Sequence, residues 1–302
     1  MEKFKSGFVA IIGKTNVGKS TLINNLVGEK VAITANKSQT TRTAIKAIVN
    51  RKHSQIIFMD TPGLHKPKTK LGKTMNETAI HAIDQVDLVL FMIDAASKEI
   101  TKGDRILLDI IKEKSIKTIL LINKIDTIQK QDLLQLISLY QKEYEFVAVI
   151  PIMALKKQDT EVILQEIEKN LSEGPAYYDI EEYTDQTQRQ LVEETIREKA
   201  LRLLQEEVPH HLYVECEKMK KNKTMEKEDI YQIEATIYCA KNSHKGIIIG
   251  KKGAMLKKIG TYARQDLEKT LQTKVNLKLW VKVKEDWLDN DSIIKKFKDN
   301  EN

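Results

Sequence analysis

The stretch FVAIIGKTNVGKSTLINNL (8–26) permits few folds. An apolar run ends in a glycine-bounded turn, G-x-x-x-x-G-K-S at Gly13, Gly18, Lys19 and Ser20, and a helix-forming segment follows at once. Such a turn suits an anion. Glycines let backbone N–H groups approach closely, and the following helix adds its positive N-terminal end. In this reading Gly13, Lys14, Thr15, Asn16, Val17, Gly18, Lys19, Ser20 and Thr21 wrap the phosphates of a nucleotide. Lys19 places its charge by the β and γ oxygens, and the Ser20 hydroxyl ligates Mg²⁺. The loop alone does not say which base.

The rest of the chain continues the alternation this opening implies. Apolar runs at 8–13, 44–50, 54–60, 87–94, 117–123 and 146–151 read as strands, with helical periodicity at 19–27, 70–83, 101–114, 130–143 and 160–171. Near-continuous apolar strands separated by helices predict an α/β sheet covered on both faces. Only three residues, RKH, separate 44–50 from 54–60. That pair must be an antiparallel hairpin, and the sheet is mixed. Domains are expected at 1–172 and 188–302, joined by an acidic, aperiodic linker at 173–187. The second domain reads helix 188–206, strands near 211–218 and 230–240, a glycine turn, helix 253–270, strand 274–284 and a short tail, a small α+β unit.

Two further motifs define the ligand. Asn123, Lys124 and Asp126 in NKID close an apolar strand, at the edge where such sheets bind ligands. A carboxylate there can accept from guanine N1–H and its exocyclic amine; adenine offers no such pair, so Asp126 selects guanine. Asn123 braces the loop and Lys124 lies along the base. DTPG (60–63) puts Asp60 toward Mg²⁺ through water and the Gly63 N–H toward the γ-phosphate. In QTTR (39–42) a threonine hydroxyl completes the metal shell, Thr41 in preference to Thr40.

Charge placement singles out the C-terminal part. Residues 241–284 hold twelve Lys/Arg against Asp266 and Glu268, a net +10, which leaves −3 for the rest of a chain at +7. This concentration points to an anionic polymer or a membrane surface. Within it HKGIIIGKKGAMLKKIG (244–260) carries a G-x-x-G turn at Gly250, Lys251, Lys252 and Gly253, read as preceded by an apolar strand and opening a helix. Glycines admit a nucleic-acid backbone, lysines meet its phosphates, and an apolar groove holds unstacked bases. A KH domain of the second type follows, with Lys245, Gly246, Ile249, Gly250, Lys251, Lys252, Gly253 and Lys257 as its RNA-contacting set. Trp280 and Trp287 are expected to pack rather than stack on bases. No apolar run is long enough to span a bilayer, and no leader precedes the phosphate loop, so a cytoplasmic protein is expected, its cysteines Cys216 and Cys239 free thiols.

Together GKTNVGKS, TTR, DTPG, NKID and the GKKG turn resemble the translation-factor-related GTPases, and within them the Era family of the TrmE–Era group, over about residues 5–297. The resemblance implies a Ras-like P-loop GTPase domain with a mixed, mostly parallel sheet, then a type II KH domain. It implies a further guanine-contacting loop at Met153, Ala154 and Leu155, where the base is read by the Ala154 N–H. Met153 replaces the usual serine, so a bracing hydroxyl is missing, and Thr15 replaces a common proline. Lys19, Asn16, Thr41 and Gly63 form the catalytic set with Mg²⁺ and GTP or GDP. Leu64 stands where Ras-like enzymes place a water-orienting glutamine, so intrinsic turnover is expected to be slow; His65 is read as a switch-loop residue rather than a base. Asn16 has two readings: support of a K⁺ ion that replaces an arginine finger, or bracing of the loop backbone. As partner the resemblance implies the single-stranded 3′ end of 16S rRNA and the 30S subunit during its assembly, with no DNA, a link to cell growth and cell cycle, and peripheral contact with the inner face of the membrane. Loops around 36–43 and 61–75 would change shape on hydrolysis and alter how the RNA domain is presented. A membrane-surface regulatory GTPase is the alternative reading.

Overall fold

The computed structural model describes residues 3–299, apart from 36, 38–39, 65–66, 157–158 and 224–227. They form two compact units, one built on 3–32 and 41–185, the other on 33–40 and 186–296.

In the first unit β1 (Lys5–Ile12), β2 (Ile45–Arg51), β3 (Ser54–Asp60), β4 (Leu88–Asp94), β5 (Thr118–Asn123) and β6 (Ala148–Ile152) form one sheet in the order β2-β3-β1-β4-β5-β6. All neighbours are parallel except β2 and β3, the expected hairpin. Helices α1 (Lys19–Val27), α2 (Lys70–Asp84), α3 (Lys102–Lys114), α4 (Lys130–Gln141) and α5 (Thr160–Asn170) connect or follow the strands. The pleat sends alternate side chains to opposite faces. Val9, Ile11, Leu90 and Met92 join one core; Ala10, Ile12, Phe91 and Ile93 join the other. Burial on both faces is why these strands read as unbroken apolar runs. β1 pairs with β3 on one side and β4 on the other, so strand order reverses at its carboxyl end, where the phosphate loop begins.

Most of the expected linker lies along the sheet. Ile48 N–H donates to Tyr183 O at 3.0 Å, Thr184 Oγ1 to Lys46 O at 3.0 Å, and Gln55 Oε1 accepts from the Tyr177 and Tyr178 N–H groups. The segment thereby covers the open edge of β2, whose backbone groups would otherwise remain unpaired.

The second unit contains α6 (Gln188–Leu203), β7 (Leu212–Lys223), β8 (Asp229–Cys239), α7 (Asn242–Ile249), α8 (Ala254–Thr270), β9 (Lys274–Val283) and α9 (Asp291–Asp299). β7 and β8 are antiparallel, while β8 and β9 are parallel, so a crossover must join the latter pair; α7 and α8 supply it. The segment before GKKG, expected as a strand, is helix α7, and the "short tail" contains α9. Three consecutive isoleucines favour extended structure locally. Burial of His244 and Ile248, four residues apart, decides for one helical face against the sheet. Trp287 is fully buried, stacked obliquely on Tyr213 and donating its indole N–H to His211 O at 3.2 Å. Trp280, expected to pack, is instead 41% exposed on β9. Both cysteines are buried and unpaired. No helix among the described residues is long and apolar enough to cross a membrane.

Candidate functional site

The nucleotide loops converge at the carboxyl ends of β1, β3, β5 and β6. Lys19 is buried in the first turn of α1, and its Nζ donates to the carbonyls of Gly13 (3.1 Å) and Lys14 (3.0 Å). The ammonium thus curls back into its own loop, which contains the charge. Burial lowers its pKa to about 8, against the opposing pull of Asp60. Gly18 has φ +110°, and a Cβ there would sit 2.5 Å from Asn123 Nδ2, so only glycine serves at this approach. Gly63 packs equally closely: a Cβ on it would meet the Thr15 N at 2.9 Å and Lys19 Nζ at 3.0 Å.

Ser20, Thr41 and Asp60 come together as expected of a metal shell. Asp60 Oδ2 accepts from Ser20 Oγ (2.9 Å) and Thr41 Oγ1 (3.2 Å), and the two hydroxyls are 3.1 Å apart. Asp60 is fully buried, which raises its carboxyl pKa, while Lys19 and the two hydroxyls pull it down. Its Oδ1 is buried without a hydrogen-bond partner among the described residues. Two hydroxyls and a carboxylate with a spare oxygen are donors that suit a hard divalent cation. Thr41, rather than Thr40, makes this approach; the Thr40 hydroxyl donates to Lys37 O at 2.7 Å. Thr40 belongs with the second unit, where its carbonyl accepts from Arg197 on α6, and Glu198 of that helix accepts from the Thr34 N–H at 3.2 Å.

Asn123 is the junction of the base side. Its Nδ2 donates to Val17 O at 2.7 Å and its Oδ1 accepts from the Ala154 N–H at 2.8 Å. The Ala154 N–H, expected to read the base, is therefore engaged by Asn123 here. Two braces of the 153–155 loop lay outside the sequence reading: Asp159 accepts from the Met153 N–H at 2.8 Å, and Asn25 donates to Ala154 O at 2.6 Å. Asp159 thus does for Met153 what a serine hydroxyl does elsewhere. Leu155 is 87% exposed, and Asp126 is exposed just beyond β5. Lys124 Nζ donates to Asp94 Oδ2 (2.6 Å) and to Asn16 O (3.1 Å), tying the base loop to the phosphate loop. Asp94 was a missed member, although it ends an apolar strand at the same edge as Asp60 and Asn123. Asn16 is exposed with φ +65°, and its side chain makes no hydrogen bond among the described residues. Val17 is buried, while Thr15 and Thr21 are partly exposed at the loop and the first turn of α1. His65 lies outside the described residues.

In the second unit the turn Gly250–Gly253 joins α7 to α8. Gly250 has φ +72°, and a Cβ on it would lie 2.7 Å from Met255 Cβ. Lys251 and Lys252 project from the turn, exposed, with Lys252 at φ +51°. Beside the turn opens a cavity of about 380 Å³ floored by Leu256, Leu277 and Leu279 and bounded by Gly253 and Gly260. Lys257 and Arg264 line it as well. The expected contacts Gly250–Gly253 and Lys257 adjoin this groove; Lys245, Gly246 and Ile249 lie on α7. Gly260, Arg264 and the two β9 leucines were missed. Their signal was present: 253, 257, 260 and 264 recur at helical spacing, and 277 and 279 alternate on one strand face.

Residues 8–124 match the 50S ribosome-binding GTPase family, and residues 207–288 match the KH domain family. GTPase Era of Clostridium kluyveri is 50% identical over 291 residues, covering 96% of this chain and 98% of that protein. The chain belongs to the Era GTPase family. GTPase Era of Clostridioides difficile is 48% identical over 97% of this chain. A crystal structure of Era in complex with MgGDPNP and nucleotides 1506–1542 of 16S ribosomal RNA superposes with a TM-score of 0.92 at 40% identity, covering 97% of this chain and 98% of that one. A point variant of Aquifex aeolicus Era bound to GDP and AlF₄⁻ gives the same TM-score at 39% identity, covering 97% and 99%. Era membership makes the loops around Lys19 a GTPase site, and it establishes the Ras-like domain and KH domain read from the sequence.

Proposed function

We propose that this Era GTPase is a Mg²⁺-dependent GTP switch whose KH unit holds the single-stranded 3′ end region of 16S rRNA and assists 30S subunit assembly in the cytoplasm. The observation that carries this reading is the pairing of two built sites in one chain. One is the Ser20–Thr41–Asp60 oxygen cluster beside Lys19. The other is an apolar groove opened by a glycine–lysine turn. A relative of the same fold carries Mg²⁺, a GTP analogue and that RNA.

Ser20, Asp60 and Thr41 would hold the metal, which when bound neutralises charge on the phosphate oxygens. Lys19 and the loop N–H groups share that task, and Lys19 must leave the Gly13 and Lys14 carbonyls to do so. Gly63 brings its N–H beside the γ-phosphate. Leu64 cannot orient water, which makes intrinsic hydrolysis slow. Asp126 would select guanine, with Asn123 and Lys124 binding its loop to the phosphate loop. In the KH unit Lys251, Lys252 and Lys257 meet phosphates, and the Leu256–Leu277–Leu279 floor takes unstacked bases.

The test is fluorescence anisotropy of an oligonucleotide matching the 16S 3′ end against a scrambled one, with GDPNP or GDP and Mg²⁺. Selective binding is expected, abolished in Gly250→Asp, which puts a carboxylate where a phosphate would lie. Equal affinity for the scrambled strand, or unchanged binding by Gly250→Asp, contradicts the reading.

A further inference from the structure

The first turn of α3 forms a seat for the Lys14 side chain, although no nucleotide motif lies on that helix. Lys14 Nζ donates to Thr101 Oγ1 at 2.8 Å and lies 3.5 Å from Asp104 Oδ2. Asp104 Oδ2 also accepts from the Thr101 hydroxyl (2.6 Å) and N–H (3.1 Å), closing a capping box. Gly103 completes the seat: a Cβ on it would press on Lys14 Cδ at 2.8 Å and Cγ at 3.0 Å.

A capping box by itself needs neither a lysine from a distant loop nor a fully buried carboxylate. Asp104 is 0% exposed, and a buried carboxylate requires a counter-charge. Lys14 is that charge. From α4 the buried Tyr140 hydroxyl is the other group facing Asp104; its pKa is raised by burial and then by the Asp104 charge. The seat is thus electrostatically committed to Lys14.

What the seat controls is read from the Lys14 backbone. Its carbonyl accepts from Lys19 Nζ at 3.0 Å. Its main chain forms a parallel β-bridge with Leu64, directly after Gly63. One residue therefore carries the Lys19 ammonium, the segment that senses the γ-phosphate, and a tether to α3.

We propose that Lys14 is a positioning residue for GTP hydrolysis: Thr101, Gly103 and Asp104 hold its side chain, and its backbone sets Lys19 and the Gly63–Leu64 segment relative to each other. Lys14 acts through these neighbours and not on the reacting atoms. It therefore governs the arrangement reached during hydrolysis more than ground-state binding of GTP.

The test compares Gly103→Ala and Lys14→Met, singly and together, in steady-state GTP hydrolysis, with thermal unfolding alongside. Gly103→Ala improves helix propensity while displacing the Lys14 stem, so Tm is expected to hold or rise. Its kcat should nevertheless fall about tenfold, with KM for GTP within about twofold. Lys14→Met should show the same split, and the double variant should lose less than the product of the single losses. If kcat stays within about twofold in Gly103→Ala, or the loss appears in KM alone, or the two losses multiply fully, the assignment is wrong. Should Lys14→Met fail to fold, Gly103→Ala by itself decides between these outcomes.

Discussion

Replacing Asn123 with alanine removes one side chain that bridges two loops. Its amide is 4% exposed and satisfies both the Val17 carbonyl at 2.7 Å and the Ala154 N–H at 2.8 Å. Truncation leaves both groups buried without partners, at about 1–3 kcal/mol each, or roughly 2–6 kcal/mol together, with the lower end reached if water enters. In a unit of this size each kcal/mol corresponds to about 2–4 °C, so the nucleotide-free protein should melt roughly 5–20 °C lower. Loss of the Val17 tether also releases the loop just before Gly18 and Lys19, and affinity for a fluorescent GDP analogue should fall at least about tenfold. Asn123→Asp separates the two contacts. It keeps an acceptor for Ala154 but turns a carboxylate oxygen toward the Val17 carbonyl, so its GDP affinity should be no better than that of Asn123→Ala. Melting is followed by circular dichroism and GDP binding by fluorescence titration. An Asn123→Ala protein that melts within about 2 °C of the parent and binds GDP within about twofold would refute the bridging role.

Asp126→Asn should weaken GTP and admit xanthosine triphosphate, because the amide then donates to the xanthine oxygen; unchanged base preference in competition binding would remove the guanine assignment. Burial holds Lys19 at about 8, below its unfolded value, so the unfolded chain binds more protons between about pH 8 and 10.5. Stability of the nucleotide-free protein should therefore gain from this group as pH rises through that window, by on the order of 3 kcal/mol when complete. GDP binding at pH 8.5 should take up a proton at Lys19, seen as a buffer-dependent calorimetric enthalpy; a buffer-independent enthalpy argues against it. Asn16, whose side chain is exposed and makes no hydrogen bond among the described residues, should support faster hydrolysis in KCl than in NaCl at matched ionic strength. Equal rates, or an Asn16→Ala protein that retains the difference, would exclude a K⁺ role for it.

The nucleotide site was legible because its chemistry is local and its spacing rigid. Each motif sits at a strand end, and a sheet with one strand-order reversal brings strand ends together without further instruction. The two braces of the 153–155 loop were not legible, since Asp159 and Asn25 have no motif and meet it only by packing. Helix α7 was misread because its isoleucine run carries a strand preference that burial of His244 and Ile248 overrides. Trp280 was misread for a related reason: the alternation of β9 cannot say which face the helices cover, and Trp280 lies on the open one.

By itself the amino-acid order determined the α/β unit, the hairpin forced by a three-residue turn, the guanine-nucleotide loops and the basic G-x-x-G turn. These depend on backbone sterics, on periodicity and on contacts within a few residues. Tertiary structure alone decided that Thr41 rather than Thr40 joins Ser20 and Asp60, that Asn123 takes the Ala154 N–H, and that α8 and β9 enclose a groove. It alone decided that Lys14 reaches across 87 positions to Thr101. Such contacts follow from burial of charges and amides that must find partners wherever the packed chain places them, and sequence spacing carries no record of that demand.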